Sequence, residues 1–326
     1  MNYSVIVPVY KNEHSIQELI DALSLVQNEI VSRFNIQLEA IFVVDGSPDQ
    51  SAVVLSQKLP EAPFASKLLL HTRNFGSFAA IRSGLNAGLG PYFGMIAADL
   101  QEPPSLLVDF LEKLVSNTAD IVVGTRQNRD DPPATRLLAS LFWWLYRLLV
   151  IRDIPEGGVD LFACTDQVRR ELSKLNEAHS SLVGLVYWVG FRRCEVAYSR
   201  SARKYGRSAW TFRRKLAYMM DSVFSFTDLP IRILTTAGLL GITFALLMGV
   251  IVLIARVFGD ITVSGYTTTL LVIVFFGALN TLGIGLVGHY AWRTYENTKH
   301  RPLGIVSQVL SFNAHSRANT SESLED

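Results

Sequence analysis

Gly94–Pro104 reads GMIAADLQEPP, and the rest of the chain is organised around it. Tyr92, Phe93, Met95 and Ile96 make a short apolar run of the kind that forms a buried strand. The run gives way to Asp99, Gln101 and Glu102, then to Pro103 and Pro104. Proline has no N–H for a central ladder, so the chain turns here. Open α/β sheets bind ligands beyond the carboxyl ends of their parallel strands, and Asp99 stands at such an end. Hard oxygen donors there suit Mg²⁺ or Mn²⁺ holding a diphosphate. The other reading of Asp99 is a cap for a helix starting near Pro103–Ser105.

Upstream, the strand signal repeats. Tyr3–Val9, Leu38–Val44 and Lys67–His71 read as strands, and Asp120–Gly124 follows downstream. Helical spacing occupies Glu13–Leu25, Ser77–Ala87 and Leu106–Val115. Strands alternating with helices argue for a doubly wound α/β sheet. Polar residues cluster after the strands: Tyr10 to Glu13, Asp45 to Asp49, Arg73 to Asn74, Asp99 to Glu102 and Arg126 to Asp131. Neither GxGxxG nor GxxxxGK[ST] occurs, which disfavours a dinucleotide fold or a P-loop.

Composition narrows the class. The 326 residues carry a net charge of +1, so no global field selects a polyanion such as a nucleic acid. Two cysteines, Cys164 and Cys194, lie outside any CxxC spacing and fit a reducing compartment. The opening MNYSVIVPVY lacks a basic n-region, which places the N-terminal part in the cytosol. Mean hydropathy is +0.25, high for a soluble protein, and the excess lies near the C-terminus.

Ile233–Ala255 and Thr267–Ala291 each lack a charged residue, with His289 counted neutral. Each exceeds the roughly 20 residues that a helix needs to cross a bilayer. Basic residues flank both outer ends, including Arg293, Lys299 and Arg301. That asymmetry predicts a hairpin with both termini cytoplasmic. Arg192–Lys215 holds nine basic residues against one acid, Glu195, and is expected to meet an anionic leaflet. Leu137–Val150 is apolar almost all round and reads either as a core helix or as an interfacial one. Gly277, Ala278, Gly283, Gly285 and Gly288 would let the second span pack closely on the first or on another subunit. The chain thus divides into a cytosolic domain at 1–210, a juxtamembrane amphipathic segment at 211–231, two spans within 232–292 and a cytosolic tail at 293–326.

Six motifs, in order, resemble those of family 2 glycosyltransferases. Pro8-Val9-Tyr10-Lys11-Asn12-Glu13 is similar to PxYNE with Lys11 inserted, and Asp45-Gly46-Ser47 to a DGS strand end. Arg73-Asn74-Phe75-Gly76 resembles RNxG, and Asp99-Leu100-Gln101 with Pro103-Pro104 resembles DADLQxPP. Arg203 to Ser208 matches RxxGxS, and Lys299-His300-Arg301-Pro302 resembles KxRP. The likeness, spanning about residues 3 to 310, is to the polyprenyl-phosphate branch related to dolichol-phosphate-mannose synthase.

The resemblance implies a GT-A-like doubly wound mixed sheet followed by a C-terminal two-helix transmembrane hairpin. It implies an inverting enzyme that moves a sugar from a UDP-sugar to undecaprenyl phosphate for cell-envelope polysaccharide. Such an enzyme sits in the inner (plasma) membrane, and its relatives are homo-oligomers, with a tetramer among the forms considered. Pro8, Tyr10, Glu13, Asp45, Ser47 and Arg73 would bind the nucleotide. Asp99 and Gln101 would hold Mg²⁺ or Mn²⁺, and Asp99 and Asp160 would be catalytic. Arg126, Arg136, Ser140, Arg203 and Ser208 would bind the lipid phosphate. A simple Asp-Gly turn also explains Asp45, a turn Asp also explains Asp160, and a surface ion pair also explains any single arginine. Four departures stand out: the inserted Lys11, Ala97 in place of the first Asp of the DADLQ motif, Phe162 in place of Arg, and Ala209 in place of Lys. Ala97 leaves open a catalytically weak membrane scaffold that binds nucleotide or lipid phosphate.

Overall fold

The computed structural model describes residues 1–126, 144, 146–148, 150–151, 153–155, 158–177, 180–201, 212–258 and 265–314. Strand β1 (Asn2–Val9) leads into helix α1 (Ile16–Phe34), β2 (Gln37–Val44) and α2 (Ser51–Lys58). A 3₁₀ turn precedes β3 (Ala65–His71), α3 (Ser77–Ala87), β4 (Tyr92–Met95), α4 (Leu106–Val115) and β5 (Ile121–Arg126). Then come β6 (Val159–Thr165), α5 (Asp166–Lys174), α6 (Leu182–Trp188) and β7 (Arg193–Tyr198). The chain closes with α7 (Phe212–Phe226), α8 (Leu229–Val257), α9 (Tyr266–Thr298) and β8 (Val306–Phe312).

The strands form one mixed sheet in the order β7-β5-β6-β4-β1-β2-β3-β8. β4, β1, β2 and β3 run parallel, whereas β6 and β8 are antiparallel to their neighbours. Both faces are covered, as strands buried on two sides require. On β1, Tyr3, Val5, Val7 and Val9 join the core under α1, while Ile6 joins Ile81 and Leu85 of α3 on the opposite face. Each large apolar side chain so buried contributes about 1.5–3 kcal/mol. The GT-A-like mixed α/β sheet therefore holds as expected.

α1 outruns its expected end at Leu25 because Val26 and Ile30 continue the buried stripe. It stops at Asn35, which takes a left-handed conformation (φ 54°) and donates its N–H to the Val31 carbonyl. β8 lies inside the segment expected as a tail. It pairs antiparallel with β3, so the chain returns from α9 to close an edge of the sheet.

α8 has 29 residues and α9 has 33. Among the described residues one stretch, Leu229–Ile251, is long and apolar enough by composition to cross a membrane, and none of it is buried. One of the two expected spans is thus found by composition among the described residues, and the second is not. Gly283 of α9 faces Leu234 of α8, but among the described residues Gly277, Gly285 and Gly288 face no side chain within 4 Å. α7 joins the sheet domain to these helices. Its Tyr218 stacks on the fully buried Tyr146 at 6.0 Å, and its Asp221 pairs with Arg293 of α9 at 3.3 Å. Residues Trp144 and Leu148 are exposed while Tyr146 is buried. The described part of Leu137–Val150 thus has one face in the core and one in the open.

Candidate active site

β1, β2, β3 and β4 run parallel, so their carboxyl ends and the loops that follow lie toward one edge. The end of β5, the start of β6 and the end of β7 meet the same edge through the pairs Thr125–Val159 and Arg126–Tyr198. The edge has two halves.

In the β1–β3 half, carboxylates are bound by backbone amides and hydroxyls. Asp49 accepts hydrogen bonds from the Glu13 amide (3.2 Å), the Ser47 hydroxyl (2.6 Å), and the amide (3.2 Å) and hydroxyl (2.8 Å) of Ser51. Burial alone would raise the Asp49 pKa, but these donors hold it below the usual range. Glu13 accepts from the Gln50 amide at 2.8 Å, and the Lys11 amide donates to the Ser47 hydroxyl at 2.8 Å. Lys11 sits at φ 59°, a left-handed kink that absorbs the inserted residue. Pro8 is half-buried at the end of β1, and Tyr10 is exposed beside it.

Asp45 is 3% exposed and accepts three hydrogen bonds. They come from His71 Nδ1 (2.8 Å), the Phe75 amide (2.8 Å) and the Gly76 amide (2.7 Å). Burial would raise its pKa; the His71 bond and the two amides outweigh that and lower it. The Asp45 side chain thus holds the 73–76 turn, beyond the simple Asp-Gly reading. Gly46 (φ 56°) allows this approach, since a Cβ there would lie 2.3 Å from the Arg73 carbonyl carbon. Arg73 is exposed, with its guanidinium 4.1 Å over the Phe75 ring.

In the β4–β7 half, the carboxylates meet guanidinium groups. Asp160 lies in β6, not in a turn; it pairs with Arg126 Nε and accepts from the Tyr198 hydroxyl at 2.9 Å. Burial would lower the Arg126 pKa, but Asp160 raises it above the usual arginine value. Glu102 is 2% exposed, with Arg200 Nε 3.2 Å from its Oε1. Among the described residues its Oε2 is buried without a hydrogen-bond partner. Burial pushes the Glu102 carboxyl up to about 7, opposed by Arg200 and reinforced by Asp99 and Asp160. Asp99 accepts from the Gln101 amide at 3.3 Å, and the N-cap of α4 is Ser105, so Asp99 does not cap that helix. Between Asp99 and Gln101, Leu100 takes φ 54°, a conformation rare outside glycine that turns the chain sharply.

Gln101, expected to ligate a metal, is engaged elsewhere. Its Oε1 accepts from Arg200 Nη2 at 2.6 Å and its Nε2 donates to the Ser201 carbonyl at 3.3 Å. Among the described residues no three His, Cys, Asp or Glu side chains converge as a metal cluster. The donor set fits a Mg²⁺-like ion that takes one or two carboxylates and completes its shell from substrate phosphates. Of the residues expected to hold the ion, Asp99 brings a carboxylate to this edge, and Ala97 offers no donor.

Arg136, Ser140, Arg203 and Ser208 lie outside the described residues. Of the basic run, Arg192 is held by Asp120 and Asn117, Arg193 lies over the Tyr187 ring, and Arg200 turns onto Glu102. These three arginines serve the fold and the site edge. His71, Tyr198 and Arg200 join the site without having been assigned to it from sequence, and Glu102 was named there only as part of the cluster after β4. The register of β1–β4 was the available signal for His71, and the place beside Gln101 for Glu102.

Comparison with known proteins agrees with this architecture. Residues 4–174 match the family described as "Glycosyl transferase family 2". The chain is 30% identical over 308 residues to "Uncharacterized glycosyltransferase YkcC" of Bacillus subtilis, covering 94% of each. It is 29% identical to "Prophage bactoprenol glucosyl transferase homolog" of Escherichia coli, covering 95% of this chain and 99% of that protein. It is also 29% identical to "Bactoprenol glucosyl transferase" of Shigella phage SfV, covering 94% and 98%. Among solved structures, glucosyl-3-phosphoglycerate synthase of Mycobacterium tuberculosis with Mn²⁺ and UDP-glucose matches with a TM-score of 0.44 at 16% identity, covering 68% of this chain and 76% of that one. The strand-end motifs, the sheet they terminate and the match over 4–174 agree: the chain belongs to glycosyl transferase family 2 and is a glycosyltransferase.

Proposed function

We propose that this enzyme transfers a hexosyl group from a UDP-sugar to undecaprenyl phosphate at the cytoplasmic face of the membrane, with inversion at the anomeric carbon. The observation that carries the reading is the end-to-end similarity to bactoprenol glucosyl transferases, which takes in both long helices. α8 and α9 form a transmembrane hairpin in this reading, and both termini stay with the sheet in the cytoplasm. The open glycines of α9 support a homo-oligomer.

The reaction needs little proton chemistry. A lipid phosphate has its second pKa near ~6 and is largely a dianion at neutral pH. Its oxygen attacks the anomeric carbon as the bond from that carbon to the diphosphate oxygen breaks, and UDP leaves. The chain must hold two anionic phosphates together. Arg126 is suited to this by its forked donors, exchanging part of its bond to Asp160 for the acceptor phosphate. Asp160 and Tyr198 then keep the guanidinium oriented. The β1–β3 half takes the nucleotide through Pro8, Tyr10, Glu13, Ser47 and Arg73. When bound, Mg²⁺ or Mn²⁺ at Asp99 supplies Lewis-acid stabilisation of the leaving diphosphate.

Purified protein with Mg²⁺ or Mn²⁺ should move label from a UDP-sugar onto undecaprenyl phosphate. No transfer with a panel of UDP-sugars and with GDP-mannose would overturn the assignment. A second reading, a catalytically weak scaffold, is favoured by Ala97 and the engaged Gln101 amide. Metal-independent UDP binding without turnover would establish it.

A further inference from the structure

β8 does more than cover the last strand. The loop between α9 and β8 passes directly behind His71. The Thr72 amide donates to the Ile305 carbonyl at 3.0 Å, and the Ser307 hydroxyl donates to the Leu70 carbonyl at 2.9 Å. Gly304 lies against the imidazole so closely that a Cβ there would stand 3.1 Å from His71 Cε1 and 3.2 Å from both Nε2 and Ser83 Oγ.

The imidazole is fully enclosed and held at both nitrogens. An ionised carboxylate only accepts, so Nδ1 carries the proton it shares with Asp45 at 2.8 Å. Nε2 meets the Ser83 hydroxyl at 2.9 Å. The edge of the ring packs against Phe75, with centroids 5.5 Å apart and planes at 88°. Phe75 in turn carries the Arg73 guanidinium on its face. A continuous stack therefore runs from Gly304 through His71 and Phe75 to Arg73, and the Asp45 carboxylate ties its middle to the Phe75 and Gly76 amides.

We propose that Asp45 and His71 are positioning residues that present the 73–76 turn to the nucleotide, and that the Gly304–β8 segment is a working part of that device. The nucleotide part rests on the donor assignment above. With both carboxylate oxygens engaged, Asp45 acts on the donor through the turn, and Arg73 is the group that reaches the ligand. The segment that leaves α9 thereby sets the shape of the donor pocket, linking the helix pair to the site through seven intervening residues, 299–305.

The test compares Asp45→Asn, His71→Ala, His71→Asn and Gly304→Ala in the full chain. Asparagine at 71 keeps an N–H near the place of Nδ1; alanine does not. UDP affinity should fall about tenfold or more in Asp45→Asn and His71→Ala. It should fall several-fold in Gly304→Ala and recover toward the parent in His71→Asn, with the acceptor KM unchanged throughout. Amide hydrogen exchange of the ligand-free chain over 72–78 should follow the same order. Weak UDP binding in Asp45→Asn alone, with parental exchange and affinity in His71→Ala and Gly304→Ala, would put the carboxylate on the ligand and overturn the proposal. If the parent chain binds no UDP while exchange follows the expected order, the positioning device stands and the donor assignment falls. Should His71→Ala fail to fold, Gly304→Ala decides, since it adds a single methyl group.

Discussion

The two halves of the site edge hold their carboxylates differently. At the ends of β1–β3, Asp45 and Asp49 are bound by backbone amides, hydroxyls and one imidazole, donors that belong to the fold. At β4–β7, Asp160 and Glu102 face Arg126 and Arg200, cations that an incoming anion can recruit. An amide locked in a turn has no other partner to visit, so the first half is rigid before any ligand arrives. A guanidinium shared with a carboxylate keeps donors to spare, so the second half can rearrange around phosphate. In the proposed reaction the first half would read the nucleotide by shape and the second would gather charge. Substitutions in the two halves should therefore fail in different ways.

The largest effect is expected at the boundary between them. Asp99→Ala removes the carboxylate placed for the divalent ion while leaving Ser105 as the cap of α4. Turnover should drop at least about a hundredfold. Melting temperature should move by only about 2–4 °C, the equivalent of ~1 kcal/mol. Parallel loss of both would make Asp99 a structural residue and shift the metal reading elsewhere.

Next comes the charge-gathering half. Arg126→Ala should raise the acceptor KM about ten- to a hundredfold and leave the donor KM near the parent. Arg126→Lys should recover part of the loss, because an ammonium keeps the charge but not the fork. If both variants change the donor KM instead, Arg126 serves the nucleotide and the division of labour proposed here is reversed.

The rigid half should instead show itself in stability and its pH dependence. Asp45 titrates below its usual range in the folded chain, so its contribution is present above the unfolded-state pKa and is lost as pH falls through the folded one. Asp45→Asn should cost about 1–3 kcal/mol at pH 7, and the gap to the parent should close in acid. A gap that persists unchanged at low pH would mean that shape, not charge, holds the turn.

The sequence reading reached the sheet where hydrophobic period is local. Ser77–Ala87 and Leu106–Val115 match α3 and α4 at both ends, and five strands lie within two residues of their expected starts. β6, α5, α6, β7 and β8 were not foreseen. β8 reads VSQVLSF and is a half-exposed edge strand, so it lacks the unbroken apolar run that marks a buried one. Its partner β3 lies far away in the chain, and no local pattern announces such a pairing. In the site, the strand-end clusters placed Asp45, Ser47, Arg73, Asp99 and Arg126 on one edge, while Asp160 came only from the family resemblance and lies at the start of β6. They did not reveal that Asp45 faces inward onto His71, because a motif records residue types and not which donors saturate an oxygen. Glu102 and Arg200 escaped for the same reason: their pairing joins β4 to the end of β7 across the whole intervening chain.

The smallest expected effect tests how the rigid half carries its inserted residue. Lys11 adopts φ 59°, where a side chain costs about 1–2 kcal/mol relative to glycine. Lys11→Gly removes that cost but frees the unfolded chain by about 0.5–1 kcal/mol. It also loses the ammonium that stands 5.5 Å over the Tyr10 ring, a contact of about 0.5–1 kcal/mol at an exposed position. The terms nearly cancel, so stability should change by less than ~0.5 kcal/mol in a denaturant melt. The bond that matters, from the residue 11 amide to the Ser47 hydroxyl, survives the substitution because it belongs to the backbone. Donor KM should therefore stay at the parental value. A rise would place the lysine ammonium itself on the nucleotide, and the half of the edge built from backbone donors would then owe part of its affinity to a mobile cation, as the other half does.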